Sequence, residues 1–326
     1  MADVYLGIDV GSVTAKIVVI TADKANIIHS LYRRTNGNPI QAIRQGLAEV
    51  KQSGDYRILA AATTGSGRML AARLIGTDLV KNEITTHTLA ALAITPDVQT
   101  ILEIGGQDSK IIIIRNGLAI DFAMNTVCAA GTGSFLDQQS GRLGVKVEDM
   151  GEMALRSANP ATISGRCTVF AETDMIHKQQ LGIAKDDIIA GLCKSLVRNY
   201  LATVARGKQL LGPIYFQGGV AANQGIVREF EQQLQLPVQV SEHYAVAGAY
   251  GAAVYARKSG PAAKPFSGFD LINNEYQVTT FTCKKCEEEC TVLKLMRQDV
   301  VVSFWNDRCG RYANSTLGIS NEPIFR

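Results

Sequence analysis

The chain has 326 residues, of which 46% are hydrophobic and 19% charged, a composition typical of a folded globular protein large enough for two domains. Its 33 basic and 30 acidic residues leave a formal charge of +3, too small to give a basic field for nucleic acid. The sequence has neither an apolar run that could span a bilayer nor the layout of a signal peptide. We therefore expect a cytoplasmic protein with no nucleic-acid and no membrane partner.

The N-terminal stretch predicts a β-hairpin with a phosphate-binding turn. Residues 4–9 form a short apolar strand that ends in Asp9, and residues 16–20 form the returning strand. The turn between them offers backbone N–H groups and the hydroxyl of Ser12, and such groups bind phosphate oxygens. Asp9 would then lie where a carboxylate can hold a divalent cation, directly or through its water shell.

The same layout recurs about a hundred residues later, after a predicted helix at residues 39–52. Residues 100–104 and 110–115 are predicted strands, and the turn between them contains Gly105, Gly106, Gln107 and Asp108. Both hairpins combine a glycine-bearing polar turn with an aspartate and a lysine. An internal repeat of this size predicts two related domains that close on one ligand, each contributing a phosphate-binding turn.

Two cysteines are placed where helices are predicted to begin. Cys128 precedes a glycine-rich turn that opens a helix near residue 135, and Cys167 stands before a second predicted helix. Helix N-termini stabilise thiolates and the anionic clusters that thiolates hold. Two such cysteines are half of a four-cysteine iron–sulfur site, which a second copy of the chain could complete across a two-fold axis. The alternative is that both are buried small apolar residues, as free cysteines usually are.

The stretch between these cysteines and the tail predicts helices and a nucleotide-binding junction. Residues 137–155 are mostly helical in pattern, and residues 186–211 form a long amphipathic helix whose inner stripe includes Cys193. Residues 213–217 are a predicted strand that runs into Gly218 and Gly219. A strand followed by two glycines and a helix lets a flat base or a ribose approach the backbone closely.

Taken together, five motifs resemble the activator component of 2-hydroxyacyl-CoA dehydratases, a family that includes ATPase subunits of benzoyl-CoA reductase and reductases of double-cubane cluster proteins. The motifs are Asp9-Val-Gly-Ser, Gly105-Gly-Gln-Asp-Ser-Lys, Cys128-Ala-Ala-Gly-Thr-Gly-Ser-Phe, Cys167-Thr-Val-Phe-Ala-Glu and Gly218-Gly-Val-Ala. The resemblance covers about residues 4–258. It implies an α/β fold of the actin/hexokinase/Hsp70 type, in which two ribonuclease-H-like domains enclose a central nucleotide cleft.

The resemblance also implies a set of site residues. A homodimer would hold one [4Fe–4S] cluster with Cys128 and Cys167 of each protomer. Asp9, Gln107 and Asp108 would belong to the catalytic region around ATP or ADP and Mg²⁺. The cofactor-binding residues that it implies are Gly11, Ser12, Val13, Thr14, Lys16, Gly105, Gly106, Gly131, Thr132, Gly133, Gly218, Gly219, Val220 and Ala221.

The function that the resemblance implies is an ATPase coupled to electron transfer. ATP hydrolysis would drive low-potential electrons from a ferredoxin- or flavodoxin-like donor into a partner iron–sulfur dehydratase or reductase. Two alternatives of other classes remain open. A sugar or acyl kinase of the same fold would use Asp108 as the base on a substrate hydroxyl but gives no role to the two cysteines. A nucleotide-gated regulatory scaffold would have no use for a redox cluster.

The C-terminal stretch predicts a metal-binding tail. Residues 259–269 are rich in proline, glycine and alanine and have the composition of a linker. Beyond them four cysteines, Cys283, Cys286, Cys290 and Cys309, flank a hairpin predicted at residues 291–305. Four cysteines on so short a unit favour a metal over free thiols, with zinc as the default and a second iron–sulfur cluster as the alternative.

The linker suggests three parts in the chain. Residues 1–95 would form the first domain, residues 96–259 the second with a last helix that could return to the first, and residues 260–326 the tail. A small unit of this kind cannot bury a core without metal, so deleting it should leave the body folded. Similar cysteine segments occur in longer relatives of the activator family, which suggests that the chain is a fragment of such a protein.

Overall fold

The structure, a computed structural model, describes residues 1–125, 128–165, 167–263 and 266–312. Its strands are β1 Ala2–Val10, β2 Thr14–Thr21, β3 Ile27–Arg34, β4 Tyr56–Thr64, β5 Thr100–Ile104, β6 Ser109–Arg115, β7 Leu118–Asn125, β8 Ile214–Gln217, β9 Val238–Val240, β10 Tyr276–Thr282, β11 Thr291–Arg297 and β12 Val300–Trp305. Its α-helices are α1 Pro39–Ser53, α2 Arg68–Ile75, α3 Glu83–Ile94, α4 Gly133–Leu143, α5 Met150–Arg156, α6 Thr168–Gln180, α7 Lys185–Thr203, α8 Gln224–Leu234 and α9 Ala247–Ser259.

Two sheets repeat one plan. The first has the order β3-β2-β1-β4 and the second the order β7-β6-β5-β8-β9. In the first sheet β1 pairs antiparallel with β2 and parallel with β4, and in the second β5 pairs in the same two ways with β6 and β8. The repeat predicted from the two hairpins is therefore confirmed, and it extends over four strands in each sheet.

The first sheet is buried on both faces, which explains the continuous apolar run of β1. Leu6 and Ile8 pack with residues of α1 and α2 in one cluster, whereas Tyr5 packs with alanines of α9 on the opposite face. Gly7 brings α9 unusually close, because a Cβ atom there would lie 1.9 Å from the carbonyl oxygen of Ala249. The helix before the tail thus belongs by its packing to the N-terminal sheet.

The second sheet packs against a helical layer centred on α7. Tyr200 of α7 forms an edge-to-face contact with Phe230 of α8, and Phe230 forms another with Phe216 of β8. The Tyr200 hydroxyl donates to the Lys110 carbonyl oxygen at 2.6 Å, so a fully buried phenol still has its hydrogen-bond partner. Cys193 is fully buried in the same cluster, which confirms its expected place in the core. Burial raises the pKa of its thiol to about 12.

Two predicted helices end earlier than their patterns suggested. The long helix expected to reach residue 211 ends at Thr203, and Gly207 beyond it has a φ of +73° that a helix cannot contain. The helical stretch expected over residues 137–155 is divided into α4 and α5. Gly144 divides them, since it closes α4 in the left-handed conformation with a φ of +64°.

The tail is a three-stranded antiparallel sheet with the order β10-β11-β12, so the predicted hairpin is joined by one more strand. One face carries Leu295 and Trp305, which are buried in the same cluster as Leu6 and Ile8 of the first sheet. The other face carries Val292 and Phe304, which pack with Cys283 and Cys290. Alternation along the strands thus gives the tail two apolar faces. Contrary to the expected separate unit, one of them is part of the N-terminal core.

The segment between the linker and the tail sheet also packs on that core. Leu271 is fully buried in the cluster, and Arg44 of α1 donates from Nε to the carbonyl oxygen of Ile272 at 2.9 Å. Among the helices within the described ranges, none is both long enough and apolar enough to cross a membrane.

Candidate functional site

Two matching turns line a cleft between the first two sheets. After β1, the Gly11 amide donates to the Thr14 carbonyl at 2.9 Å. After β5, the Gly105 amide donates to the Asp108 carbonyl, also at 2.9 Å. Each turn leaves further backbone N–H groups on its surface, the arrangement that binds anions.

The two turns touch at one point. The Ser12 hydroxyl donates to Gln107 Oε1 at 2.6 Å, across the cleft. The cavity lined by both turns has a volume of about 320 Å³, within the range of small-molecule sites. The Ser12–Gln107 hydrogen bond has to break if the cleft opens wider, so its presence indicates a closed cleft.

Each hairpin holds its lysine against an acid on the opposite strand. Asp9 and Lys16 are cross-strand partners, and so are Glu103 and Lys110. The lysine Nζ atoms lie 3.0 Å from Asp9 Oδ2 and 3.2 Å from Glu103 Oε2. The repeat equivalent of Asp9 is therefore Glu103, which the sequence pattern did not single out. Asp108 approaches the same lysine from the turn, with 2.9 Å between Asp108 Oδ2 and Lys110 Nζ.

These acids keep both buried lysines charged. Burial by itself lowers the pKa of Lys16, but the Asp9 carboxylate outweighs it and the pKa is raised overall. Burial also opposes the charge of Lys110, yet Glu103 and Asp108 raise its pKa well above the ordinary lysine value. Since buried ion pairs are costly to break, both ammonium groups are held in place next to the turns.

Besides Glu103, the polar residues of the cleft region that the sequence patterns missed include Glu83, His87 and Gln217. Glu83 and His87 lie on α3 and line the cavity. His87 Nδ1 lies 2.6 Å from Oε1 of the fully buried Gln217, the last residue of β8. His87 is thus a buried, hydrogen-bonded residue of the cleft wall.

The far side of the cleft is formed by the glycines after β8. Gly218 has a φ of +89°, and a Cβ atom there would lie 2.3 Å from the carbonyl oxygen of Ile104, so only glycine fits. A second cavity adjoins the first and is lined by Gly219, Val220 and Tyr244. Its polar and apolar walls suit a ribose and a base.

Most of the expected site residues come together here. The two cavities are lined by Asp9, Gly11, Ser12, Val13, Thr14, Lys16, Gly105, Gly106, Gln107, Asp108, Gly133, Gly218, Gly219 and Val220. Three expected residues line neither cavity: Gly131, Thr132 and Ala221 are buried behind the cleft wall. The Thr132 hydroxyl is used within the chain, since it donates to the Ala129 carbonyl at 2.8 Å.

The charge of the cleft suits a nucleotide with its magnesium ion. The first cavity is lined by Asp9, Glu83, Glu103 and Asp108 but by only two lysines. Uncompensated carboxylates repel a bare triphosphate, whereas they attract Mg²⁺. Within the described residues no group of three or more His, Cys, Asp or Glu side chains is placed to hold a metal ion. Mg²⁺ commonly needs only one or two carboxylates when phosphate oxygens and waters complete its shell.

Cys128 lies on a loop that is fixed by the strand before it. Its amide donates to Asn125 Oδ1 at 3.0 Å, and Asn125 Nδ2 donates back to the Cys128 carbonyl at 2.8 Å. A single 3₁₀ turn at Ala129–Gly131 follows, and α4 begins only at Gly133. Cys128 is partly exposed and precedes the glycine-bearing turn that leads into α4, as the sequence predicted.

Cys167 is the N-cap residue of α6, as the sequence predicted, and is also partly exposed. The segment before it is fixed to α7. Three side chains of α7 donate to consecutive carbonyls of that segment at 2.6 Å each: Arg198 to Ile163, Ser195 to Ser164 and Asn199 to Gly165. Asn199 also lies under the Cys128 loop, where a Cβ atom on Gly131 would be 3.1 Å from its Oδ1. One helix therefore supports both cysteine loops.

The Cys128 loop is directly bonded to the phosphate turn of the second sheet. The amide of Gly133 donates to the Gly105 carbonyl at 2.8 Å, and the amide of Ser134 donates to the Gly106 carbonyl at 2.8 Å. The Ser134 hydroxyl adds a bond of 2.6 Å to the same Gly106 oxygen. A displacement of this turn is therefore passed to the start of α4.

Helix α4 is in turn tied to the helix that follows Cys167. Glu172 of α6 pairs with Arg142 of α4, with 2.8 Å between Oε1 and Nη2. Gln138 of α4 donates to Glu172 Oε2 at 3.0 Å. Glu172 therefore links the two helices and does not enter the cleft.

The cysteine region suits a cluster shared between two chains. Two thiols supply only half of the ligands that a four-cysteine cluster needs. Large apolar side chains stand exposed next to Cys167, where Val169 is 67% and Phe170 is 64% exposed. Partly exposed thiols beside exposed apolar residues are the surface that a second copy would cover.

The four tail cysteines lie at one end of the third sheet. Three are on the loop between β10 and β11, and Cys309 follows β12. The two loops are held together by Arg308, which contacts Glu288, and by Arg311, which donates to the Lys285 carbonyl, both at 2.5 Å. The Lys285 amide also donates to Cys283 Sγ at 3.4 Å. Such N–H groups stabilise a thiolate, which is the form that binds metal.

The chain is similar to dehydratase activators of known structure. Residues 6–256 match the model of the BadF/BadG/BcrA/BcrD ATPase family, so the tail lies beyond the match. The (R)-2-hydroxyglutaryl-CoA dehydratase activating ATPase of Acidaminococcus fermentans is 36% identical over 255 residues, which cover 78% of this chain and 96% of that protein. A second relative has a solved structure with bound ADPNP, the activator of the 2-hydroxyisocaproyl-CoA dehydratase from Clostridium difficile. It is 31% identical to this chain, with a TM-score of 0.71, and the match covers 78% of this chain and 95% of that one.

A more distant likeness concerns the fold alone. A ROK family glucokinase from Streptomyces griseus is 14% identical with a TM-score of 0.51, covering 78% of this chain and 99% of that one. The expected α/β fold of the actin/hexokinase/Hsp70 type is therefore confirmed.

Proposed function

This chain belongs to the BadF/BadG/BcrA/BcrD ATPase family, and from this membership we propose that it is an ATP-dependent electron-transfer activator. A homodimer would use ATP hydrolysis to send low-potential electrons from a ferredoxin- or flavodoxin-like donor to a partner enzyme in the cytoplasm. The partner would be an iron–sulfur enzyme such as a 2-hydroxyacyl-CoA dehydratase, a benzoyl-CoA reductase or a double-cubane cluster protein. Relatives named as dehydratase activators and as a component of benzoyl-CoA reductase support this class of partner.

In this proposal the triphosphate lies between the two matching turns. Lys16 and Lys110 would face its phosphates, while Asp9 and Asp108 hold Mg²⁺ directly or through water. The adenosine would lie against the glycines after β8. Residues 1–95 and residues 96–259 would be the two domains that close on it, with α9 packed on the first sheet and residues 260–326 as the tail.

Cys128 and Cys167 of both protomers would hold one [4Fe–4S] cluster, which when bound supplies a one-electron carrier between donor and partner. Each chain's own contribution is to present two of the four thiols on loops of fixed shape. Helix α7 supports both loops of each protomer, since it bonds to residues 163–165 before Cys167 and its Asn199 lies under Gly131 of the Cys128 loop. Exposed Val169 and Phe170 would be covered in the dimer, so water is kept from that side.

The proposed coupling between the nucleotide and the cluster rests on one observation. Gly133 and Ser134 donate hydrogen bonds to the carbonyl oxygens of Gly105 and Gly106. When the triphosphate draws the two turns together, the second turn moves with its hydrogen-bond partners. The start of α4 then moves, and the Glu172–Arg142 pair passes the shift to α6. ATP binding and hydrolysis would thereby alter the angle between protomers and the surface offered to the partner.

We expect the Cys167→Ala variant, purified without oxygen, to lose the iron, the sulfide and the visible absorption of the cluster. It should also change from dimer to monomer in light scattering, because half of the shared ligands are gone. Cys128→Ala should behave in the same way. The measurements are iron and sulfide analysis, an absorption spectrum before and after dithionite, and the molar mass.

The matched control is Cys193→Ala, which removes a thiol from the core and not from a loop. It should keep full iron, full sulfide and the dimer. A Cys167→Ala protein that stays brown and dimeric would contradict the shared cluster. A colourless parent protein prepared from anaerobically grown, iron-replete cells would contradict the electron-transfer function itself.

We also propose that Cys283, Cys286, Cys290 and Cys309 bind a metal. The support is that two loops bring all four to one end of the sheet, where the Lys285 amide already donates to a thiol sulfur. As the loops stand, their thiols do not yet form a coordinating group within the described residues. Metal binding would draw Cys309 inward from its exposed position.

The expected result for the Cys286→Ser/Cys309→Ser variant is the loss of one zinc equivalent per chain, while iron and sulfide of the shared cluster stay unchanged. Loss of iron and sulfide in place of zinc would assign a second iron–sulfur cluster to the tail. The measurement is elemental analysis of parent and variant. Equal metal contents in the two proteins would mean that the four cysteines are free thiols.

A further inference from the structure

One carboxylate of the cleft differs from the others. The cleft lysines hold Asp9, Glu103 and Asp108 in ion pairs. Glu83, in the first turn of α3, lines the same cavity. In the described part of the chain its side chain has no hydrogen-bond or ion-pair partner. Glu83 is therefore the acidic group of the cleft that is left available to a ligand.

The lysine partners decide what each carboxylate can do. A carboxylate next to a buried ammonium group is stabilised in its charged form and is a poor proton acceptor. Glu83, by contrast, has no ion pair within the described residues. Burial raises the pKa of Glu83, and although Lys110 opposes this, the Asp108 and Asp9 carboxylates add to the rise. A raised pKa makes a carboxylate a better base near neutral pH.

We propose that Glu83 is a catalytic residue that accepts a proton from the water that attacks the γ-phosphate of ATP. The water oxygen forms a bond to the γ-phosphorus while the bond from that phosphorus to the β–γ bridging oxygen breaks. The proton passes to the Glu83 carboxylate and then to the released phosphate, and ADP leaves with the bridging oxygen. This inference rests on the proposed ATP hydrolysis in the cleft.

The position of Glu83 fits this role better than that of Asp108. Asp108 lies in the phosphate turn itself and pairs with Lys110 at 2.9 Å, so its geometry is that of a phosphate and cation holder. Glu83 approaches the cavity from α3, a different element from either turn. A water between Glu83 and the turns would lie beside a γ-phosphate held by those turns, within the same cavity.

The test compares Glu83→Gln and Glu83→Asp with the parent protein. Glu83→Gln should lower kcat for ATP hydrolysis by about 100-fold or more. Its affinity for ADPNP with Mg²⁺, measured by calorimetry, should stay within about threefold of the parent value, since the base contributes to the transition state and not to ground-state binding. Glu83→Asp, which keeps a carboxylate but shortens its reach, should recover part of the rate.

The matched control is Glu152→Gln, the same change in the first turn of α5 at an exposed position. It removes a similar helix-end charge and should leave kcat unchanged. If Glu83→Gln regains the parent rate at high Mg²⁺, Glu83 is a cation ligand and the inference is overturned. A Glu83→Gln protein with the parent kcat also overturns it, while leaving the ATPase function in place. A parent protein that binds ATP but never hydrolyses it overturns both.

Discussion

The Asp9→Asn variant is expected to hydrolyse ATP about 10²- to 10³-fold more slowly than the parent, because it loses the carboxylate that we propose orients Mg²⁺ and Lys16 at the phosphates. The site is built closely around this side chain. Asp9 is 7% exposed, and Cβ atoms added to Gly65 and Gly248 would lie 2.5 Å and 2.7 Å from its oxygens. The loss should appear in kcat at saturating Mg²⁺.

Removal of Asp9 also leaves a buried lysine without its partner, which costs several kcal/mol of stability. The double variant Asp9→Asn/Lys16→Met separates the two effects, because it removes the orphaned charge. It should recover thermal stability and remain without activity. The control is Asp121→Asn, which breaks the exposed pair with Lys208 far from the cleft. Parent-level hydrolysis by a folded Asp9→Asn protein would remove Asp9 from the catalytic set.

A chain that ends at Ser259 is expected to unfold far more easily than the full chain. The family match ends at residue 256, and the linker composition alone predicts that the rest is dispensable. The structure leads to the opposite expectation, because Leu271, Leu295 and Trp305 are buried in the core of the first sheet. Truncation would expose that core to water. The expected result is a marked fall in the urea midpoint together with loss of ATP hydrolysis.

A single substitution tests the same contact without removing the metal loops. Trp305→Ala should lower the free energy of unfolding by about 3–5 kcal/mol, the usual cost of emptying a buried aromatic site. Val300→Ala on the same strand, at a position 57% exposed, should change it by less than about 0.5 kcal/mol. If the truncated chain and Trp305→Ala both keep the parent midpoint, the tail is an independent unit as its linker suggested.

The sequence predicted every inner strand of the three described sheets. The strand predicted at residues 100–104 has those bounds in the structure, and β1 and β6 differ from prediction only at their ends. The strands that were missed, β3, β7 and β10, each lie at the edge of a sheet. An edge strand is only half covered and carries polar residues, so its pattern gives little signal. β7 is largely exposed along its whole length.

The phosphate-binding part of the site was predictable, because each of its turns contains the polar groups within a few consecutive residues. Ser12, Gln107 and Asp108 stand in glycine turns whose chemistry is visible in a short stretch of sequence. Glu83, His87 and Gln217 were not predictable in this way, because their roles arise from packing between distant elements. His87 and Gln217 are 130 residues apart in the chain and meet only when α3 packs beside β8. The one local signal was Asn82, whose side chain caps α3 immediately before Glu83.

The return of α9 to the first sheet has a consequence for biosynthesis. A ribosome releases β1 to β4 early, but the helix that covers one face of this sheet starts at Ala247 and the tail that covers part of the other follows it. At typical translation speeds this delay is roughly 10–40 s, during which the second sheet can fold as a unit. The face of the nascent first sheet that α9 covers remains exposed for that time and depends on chaperones to avoid aggregation. Substitutions in α9 or the tail would therefore reduce the yield of soluble protein from the cell before they change any catalytic constant.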